Sequence, residues 1–142
     1  MIIEENKSLV REWVRLWNDN DHLGLGALYD DREFDWRISG LSPVSKKYSK
    51  QEIVELMGKT FAVPMKRRLR LVIKHLTAEE NRVAMEAVGD GAYADGSEFK
   101  NYYHLLFTIR DNKIERGRAY LDTWVAVNSG LQRTLGPATI KP

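Results

Sequence analysis

A run of alternating segments fills the second half of the chain and constrains the fold more than any other feature. Apolar and polar residues alternate over 68–76, 82–91, 98–110 and 113–127. This two-residue period is typical of strands with one buried face. Asp95-Gly96 and Asp111-Asn112 lie between segments, and such pairs are strong turn signals. The second half therefore predicts a meander of long antiparallel strands.

The first half predicts helices. Leu9, Trp13, Leu16 and Trp17 recur at helical spacing and indicate a first helix over about residues 3–18. Asp21 can cap a short second helix, and a short alternating strand follows over 33–38. Ser49 and Glu52 form a capping box at the start of a third helix, which Pro64 ends. Helices on one side of a curved antiparallel sheet define the α+β class.

The composition sets limits on function. With 142 residues we expect one domain over 1–130 and a tail over 131–142. A net charge of +2 and one basic cluster at 66–68, interpreted as a solvated strand start, predict no nucleic-acid partner. The chain has no cysteine and no membrane-length apolar run, so we expect a cytoplasmic protein without a membrane partner. Its 3 histidines form no cluster, so we expect no metal and no cofactor.

Three stretches carry a family resemblance: "WVRLWNDND", "LYDDREFDW" and "NYYHLLFTIRDNKIERGRAYLDT". They resemble the nuclear-transport-factor-2-like superfamily, in its ketosteroid-isomerase-like and SnoaL-like polyketide cyclase branch, over about residues 5–127. The resemblance implies a cone-shaped α+β barrel, with three N-terminal helices packed against a strongly curved, mainly antiparallel sheet around a cavity. It also implies a homodimer through the outer sheet face, and a small hydrophobic molecule as ligand.

The positions that carry the chemistry of ketosteroid isomerases differ in this chain. The resemblance places Trp36 at the position of the Asp base, with Asp35 one residue away. It places Trp13 at the oxyanion-hole Tyr, and Leu105, with His104 beside it, at the partner acid. A direct transfer of that mechanism is therefore not expected.

The positions used by the similar cyclases and epoxide hydrolases differ as well. The Asp of their last strand falls on Ala119, three residues before Asp122. The Arg-x-Asp pair of the hydrolases falls on Ala87 and Gly89. These departures remove the charges that those mechanisms use.

Asp122, Asp35 and His104 are the remaining candidates for acid–base catalysis, and each has a structural alternative. Asp122 lies at a strand end, where a carboxylate caps backbone N–H groups. Asp35 can be a solvated strand residue, and His104 can belong to a dimer interface. For ligand contact the candidates are Trp13, Trp17, Phe34, Trp36, Met85, Glu86, Asn101, Tyr103 and Tyr120.

The turn between the third and fourth strands decides which of these side chains point inward, because a one-residue slip reverses every face. A two-residue loop turns Glu86 toward the face of Leu105. A three-residue loop pairs Tyr93 with Ser97 and places Met85 on that face instead. We favour the second register, because Val83, Met85 and Ala87 then make the more apolar stripe. Glu86 then turns outward with His104 and can be a paired sheet residue.

Three functions fit this sequence. The first is a cofactor-free enzyme (isomerase, cyclase or hydrolase-like) that uses acid–base chemistry on a small hydrophobic carbonyl or polycyclic compound. In it Asp122 or Asp35 is the base, and Tyr103, Asn101 or His104 polarises the oxygen. The second is a binding or carrier domain that uses the same cavity without chemistry. The third is a dimerising scaffold whose interior is only packed core.

Overall fold

Three helices lie in the first half of the chain, in a computed structural model that describes residues 2–128. They are α1 (Ile2–Asn18), α2 (His22–Ala27) and α3 (Lys50–Phe61). Asp21 caps α2 by accepting from the backbone N–H of Gly24. Ser49 and Glu52 form the capping box predicted for α3, which is thereby confirmed. The predicted tail, 131–142, lies outside the described residues.

Six strands form one curved sheet beside these helices. They are β1 (Asp35–Ile38), β2 (Lys47–Tyr48), β3 (Met65–Glu79), β4 (Arg82–Tyr93), β5 (Glu98–Arg110) and β6 (Lys113–Leu121). Their order is β2-β1-β6-β5-β4-β3, and every pair is antiparallel except β1 with β6. The predicted α+β cone is confirmed. Within residues 2–128 the sheet stays open, because β2 and β3 are its two edges.

The last predicted strand is wrong at its end. We expected it to continue to Val127, but β6 stops at Leu121 and a short helix, α4 (Thr123–Asn128), follows. The cause is Asp122, whose carboxylate accepts from the backbone N–H groups of Trp124 (3.0 Å) and Val125 (3.3 Å). An aspartate in this position favours a helix start over the continuation of an alternating pattern.

The β4–β5 turn has the three-residue form. Tyr93 N–H donates to the Ser97 carbonyl at 2.8 Å, and Gly96 has the left-handed φ of +87° that this turn requires. Met85 therefore pairs with Leu105 on the inner face. The favoured register is confirmed, and it sets the facing of every side chain on β4 and β5.

The buried face of α1 packs across the inner face of the sheet. Trp13 contacts Trp36 and Phe107, with ring centroids 5.8 Å and 5.3 Å away. At the end of α1 the Asn18 side chain both donates to the Leu71 carbonyl (2.9 Å) and accepts from its N–H (2.8 Å). This pair of hydrogen bonds fixes the helix against β3. None of the helices within 2–128 is both long and apolar enough to cross a membrane.

Candidate functional site

A pocket of about 140 Å³ lies between α1, α3 and the inner face of the sheet. Its walls come from nearly every element, so it forms only when the whole domain is assembled. The lining residues are Trp13, Trp17, Tyr29, Trp36, Ile38, Val44, Ile53, Leu56, Met57, Thr60, Leu69, Leu71, Phe99, Asn101, Tyr103, Leu105, Ala119, Leu121 and Ala126.

The sequence positions that depart from the catalytic pattern lie in this wall. Trp13, Trp36, Leu105 and Ala119 all line the pocket. The resemblance places each of them where the similar enzymes have a group used for chemistry, and in this chain they give the pocket an apolar surface. Among the described lining residues there is no Asp, Glu, His, Lys or Arg.

Two aromatic side chains of the wall lie over glycines. A Cβ added to Gly117 would be 2.1 Å from Cε3 of Trp36, which pairs with it across β1 and β6. A Cβ added to Gly89 would be 2.7 Å from Cε2 of Tyr103. Both glycines are therefore needed for the close approach of a ring on the neighbouring strand. They set the position of the indole and the phenol that face the pocket.

Tyr29 is a functional candidate that the sequence reasoning missed. Its hydroxyl accepts from the Trp13 indole N–H at 3.0 Å, so the phenol proton stays available as a donor. Burial raises the pKa of Tyr29, and the Trp13 hydrogen bond offsets only part of that rise. The helical pattern predicted Tyr29 only as one more apolar residue of the short second helix. Its signal was the stretch "LYDDREFDW", which contains Tyr29 and was used only for the resemblance.

Tyr103 is the second phenol of the pocket wall. Burial raises its pKa, and the neighbouring Tyr93 adds to the rise. A phenol with a raised pKa stays protonated over the whole ordinary pH range. Tyr29 and Tyr103 therefore present neutral hydroxyl groups in a nearly apolar wall.

Asn101 lines the pocket but its amide is used mainly by the protein. Its Oδ1 accepts from the N–H groups of Tyr102 (2.8 Å) and Asp122 (3.2 Å), and its Nδ2 donates to the Asp122 carbonyl (3.3 Å). This residue is 1% exposed. It therefore ties the middle of β5 to the start of α4, and one Nδ2 hydrogen remains for a ligand.

Asp122 is beside the pocket rather than in its wall. Its neighbour Leu121 and the α4 residue Ala126 line the pocket, whereas the Asp122 side chain is exposed and caps α4. Asp122 thus has the capping role, which is the structural alternative to catalysis given above. Its predicted role as a catalytic base stays a prediction.

Asp35 lies on the outer face of the sheet, because Trp36 next to it points inward. Its Oδ2 accepts from the Arg118 guanidinium at 2.8 Å. Burial alone would raise the pKa of Asp35, but the hydrogen bond and charge of Arg118 outweigh it, so the pKa is lowered. A carboxylate held in this way is a poor proton acceptor at neutral pH.

Three more candidates also lie on the outer face. Glu86 pairs with His104, and His104 pairs with Tyr120, so the three form one row across β4, β5 and β6. All three are exposed. The structure does not bring them to the pocket, because strand parity turns them away from it. Any role that they have belongs to the outer face.

The two other predicted contact residues, Phe34 and Met85, each pack next to a residue that lines the pocket. Phe34 stacks on Tyr29 with ring centroids 4.6 Å apart. Met85 is fully buried next to Leu105 in the core. Of the residues predicted to contact a ligand, those that line the pocket are Trp13, Trp17, Trp36, Asn101 and Tyr103. Across residues 2–128 no group of three metal-ligating side chains occurs.

Several solved structures share this fold. PrhC from Penicillium brasilianum has a TM-score of 0.80 at 12% identity, covering 95% of this chain and 90% of its own. Bal32a, from a soil-derived mobile gene cassette, has a TM-score of 0.74 at 17% identity, covering 89% and 98%. A Mycobacterium tuberculosis LEH-like epoxide hydrolase has a TM-score of 0.72 at 16% identity, covering 94% and 93%. At these identities the likeness establishes the fold alone.

The open curved sheet and the helices over its inner face define a protein of the nuclear-transport-factor-2-like fold. The model of the SnoaL-like domain family matches residues 10–117, which is most of the chain. The chain belongs to that family. Among curated proteins, none matches it significantly in sequence.

Proposed function

We propose that this protein binds a small, largely apolar molecule with a hydrogen-bond-accepting oxygen in the pocket between α1, α3 and the sheet. One observation carries the proposal. Two neutral phenols, Tyr29 and Tyr103, lie in a wall whose described residues include no Asp, Glu, His, Lys or Arg. An apolar pocket with a few polar groups is the usual form of a small-molecule site.

The two phenols give the ligand its orientation. A ligand carbonyl, ether or hydroxyl oxygen accepts from Tyr103, or from Tyr29, whose own acceptor is already used by Trp13. In apolar surroundings an unsatisfied phenol is costly, so a ligand without an oxygen is selected against. The site therefore favours oxygen-bearing compounds over plain hydrocarbons.

The test measures binding of straight-chain alcohols from hexanol to dodecanol. Binding is detected as quenching of tryptophan fluorescence, because three tryptophans line the pocket. We expect saturable binding to the wild type, with affinity for the best alcohol falling about five- to tenfold in Tyr103→Phe, because one hydrogen bond is worth about 1 kcal/mol. Tyr102→Phe is the matched control, since Tyr102 is the next residue and faces outward. No saturable binding, or an equal loss in both variants, contradicts the proposal.

An enzymatic function has one observation in its favour. The backbone of Asp122 is held by the pocket residue Asn101, so its carboxylate lies just outside the wall. As a general base it would take a proton from a bound carbonyl compound while a phenol stabilises the developing oxyanion. Asp122→Asn separates the roles, because asparagine also caps helices. Lost turnover with an unchanged melting temperature supports catalysis, and a large loss of stability assigns Asp122 to the fold.

We also propose that the outer sheet face pairs with a second copy of the chain. Val72, Tyr102 and Tyr120 are exposed there by 49%, 61% and 49%. Large exposed apolar patches mark interaction sites. Sedimentation equilibrium should show a dimer that Tyr102→Arg weakens, whereas Leu23→Arg, on exposed α2, leaves it intact. A wild-type monomer contradicts this proposal.

A further inference from the structure

A second cavity of about 260 Å³ adjoins the ligand pocket at the ends of α1 and α3. The two cavities share the wall residues Trp17, Thr60, Leu69 and Phe99. Together they reach the lower part of the range of about 300–1,000 Å³ that is typical of ligand sites. A ligand seated in the apolar pocket can therefore extend into the second cavity.

The second cavity differs from the first in its chemistry. Its described wall includes Asn20, Tyr93 and Arg68, which is exposed and is the only charged residue of that wall. The apolar pocket has no charged side chain among its described residues. The combined site is thus apolar at one end and cationic at the other.

Arg68 is not engaged in an ion pair within the described part of the chain, in contrast to its neighbour. Arg67 contacts the carboxylate of Asp90 at 2.9 Å and that of Glu98 at 3.9 Å. No carboxylate of residues 2–128 lies within ion-pair distance of Arg68. Arg67 thus holds neighbouring strands together, whereas Arg68 has no carboxylate partner among residues 2–128.

A β-bulge directs Arg68 toward this cavity. The register of β3 against β4 shifts between Arg67 and Arg70, so that Arg68 and Leu69 together oppose Gly91. In a regular strand the two would point to opposite faces, but here both line the second cavity. Bulges commonly re-aim a side chain near a functional site.

Gly91 makes this bulge possible. A Cβ at position 91 would lie 3.0 Å from the Leu69 Cα and 3.1 Å from the Arg67 carbonyl oxygen. Those contacts are with backbone, which cannot move away as a flexible side chain can. The chain thus has a glycine where the bulged backbone approaches most closely.

We propose that the ligand is an amphipathic carboxylate that also carries an oxygen on its apolar body. The body lies in the Trp13–Leu105 pocket, where this oxygen accepts from Tyr103, and the carboxylate binds Arg68. The proposal rests on the proposed binding function. A guanidinium offers two parallel N–H donors that match the two oxygens of a carboxylate. The Asn20 amide in the same wall supplies a further hydrogen-bonding group.

The test compares straight-chain carboxylates from hexanoate to dodecanoate, each with a hydroxyl group at its far end, with the alcohols of equal length. Binding is followed by tryptophan quenching at neutral pH and low ionic strength. We expect the best carboxylate to bind the wild type about tenfold more tightly than its alcohol. In Arg68→Gln this preference disappears, and in Arg68→Glu the alcohol is preferred. The matched control is Arg67→Gln, which keeps the preference.

The outcomes separate the two proposals. If alcohols bind but carboxylates bind no better, or if Arg67→Gln removes the preference as Arg68→Gln does, the carboxylate inference is overturned and the apolar binding site stands. If neither series binds, the proposed function fails and this inference fails with it. A circular-dichroism spectrum like that of the wild type shows that Arg68→Gln is folded.

Discussion

Gly117→Ala is the most informative single change in the pocket wall. The new methyl group would lie 2.1 Å from Cε3 and 2.3 Å from Cζ3 of Trp36. Ordinary carbon contacts are about 3.5–4.0 Å, so the indole must move by more than about 1 Å. Trp13 and Phe107 pack against other sides of this indole. The ring therefore moves toward the pocket.

The expected cost follows from this geometry. Forcing extra volume into a packed core costs about 1–3 kcal/mol. Removing the glycine partly offsets this cost, because alanine in a strand is more favourable than glycine by roughly 0.5–1 kcal/mol. We expect a net loss of about 1–2 kcal/mol in the free energy of unfolding. For a chain of this size the melting temperature should fall by roughly 3–10 °C.

A double-mutant cycle isolates the contact with Trp36. Urea unfolding is measured for the wild type, Gly117→Ala, Trp36→Leu and the double variant. In the Trp36→Leu background Gly117→Ala should be neutral or stabilising, because the ring that it displaces is absent. Alcohol affinity should also fall in Gly117→Ala, since the indole then occupies pocket volume. An equal cost in both backgrounds, or no cost in the wild type, refutes the reasoning.

Three further predictions concern protonation and hydrogen bonds. Alcohol binding should be constant up to about pH 10, because raised pKa values keep Tyr29 and Tyr103 protonated; a decline centred well below pH 10 in a binding titration would contradict this. Backbone and side-chain hydrogen bonds from Arg32 lower the pKa of Asp30 to about 2, below its unfolded value of about 3.9. The wild type should therefore have a higher free energy of unfolding in urea than Asp30→Asn. This difference should be complete above about pH 5 and disappear as the pH falls toward 2. Asn101→Ala should lose about 1–3 kcal/mol and speed hydrogen exchange at the Tyr102 and Asp122 amides.

The local signals in the sequence were sufficient for most of the fold. Helical spacing around Trp13 and the Ser49–Glu52 capping box predicted α1 and α3, since both are properties of short segments. The preference for an apolar stripe through Met85 selected the correct register, because a packed inner face tolerates no carboxylate without a partner. The end of β6 was missed because a cap residue and an alternating strand residue look alike until the hydrogen bonds are known.

The candidate site was less accessible to sequence reasoning. Trp13, Trp36 and Tyr103 were named from position and do line the pocket. Tyr29 was missed, because only the packing of α1 brings the Trp13 indole N–H to its hydroxyl, 16 residues away along the chain. Arg68 was predicted to be solvated, and it is exposed; its place in the wall of the second cavity was missed, because a bulge inside a strand leaves no trace in the alternation of its neighbours. Both depend on tertiary contacts that no short segment specifies.

The parallel pairing of β1 with β6 also has a consequence for synthesis. Trp36 on β1 is among the early residues to leave the ribosome, but its cross-strand neighbour Gly117 belongs to the last strand. At about 5–20 residues per second the indole waits several seconds for them. During that time the nascent chain exposes an apolar surface of the kind that chaperones bind, while β1 can pair with β2 and β3 with β4 and β5. The pocket thus takes shape last, after the meander that supports it.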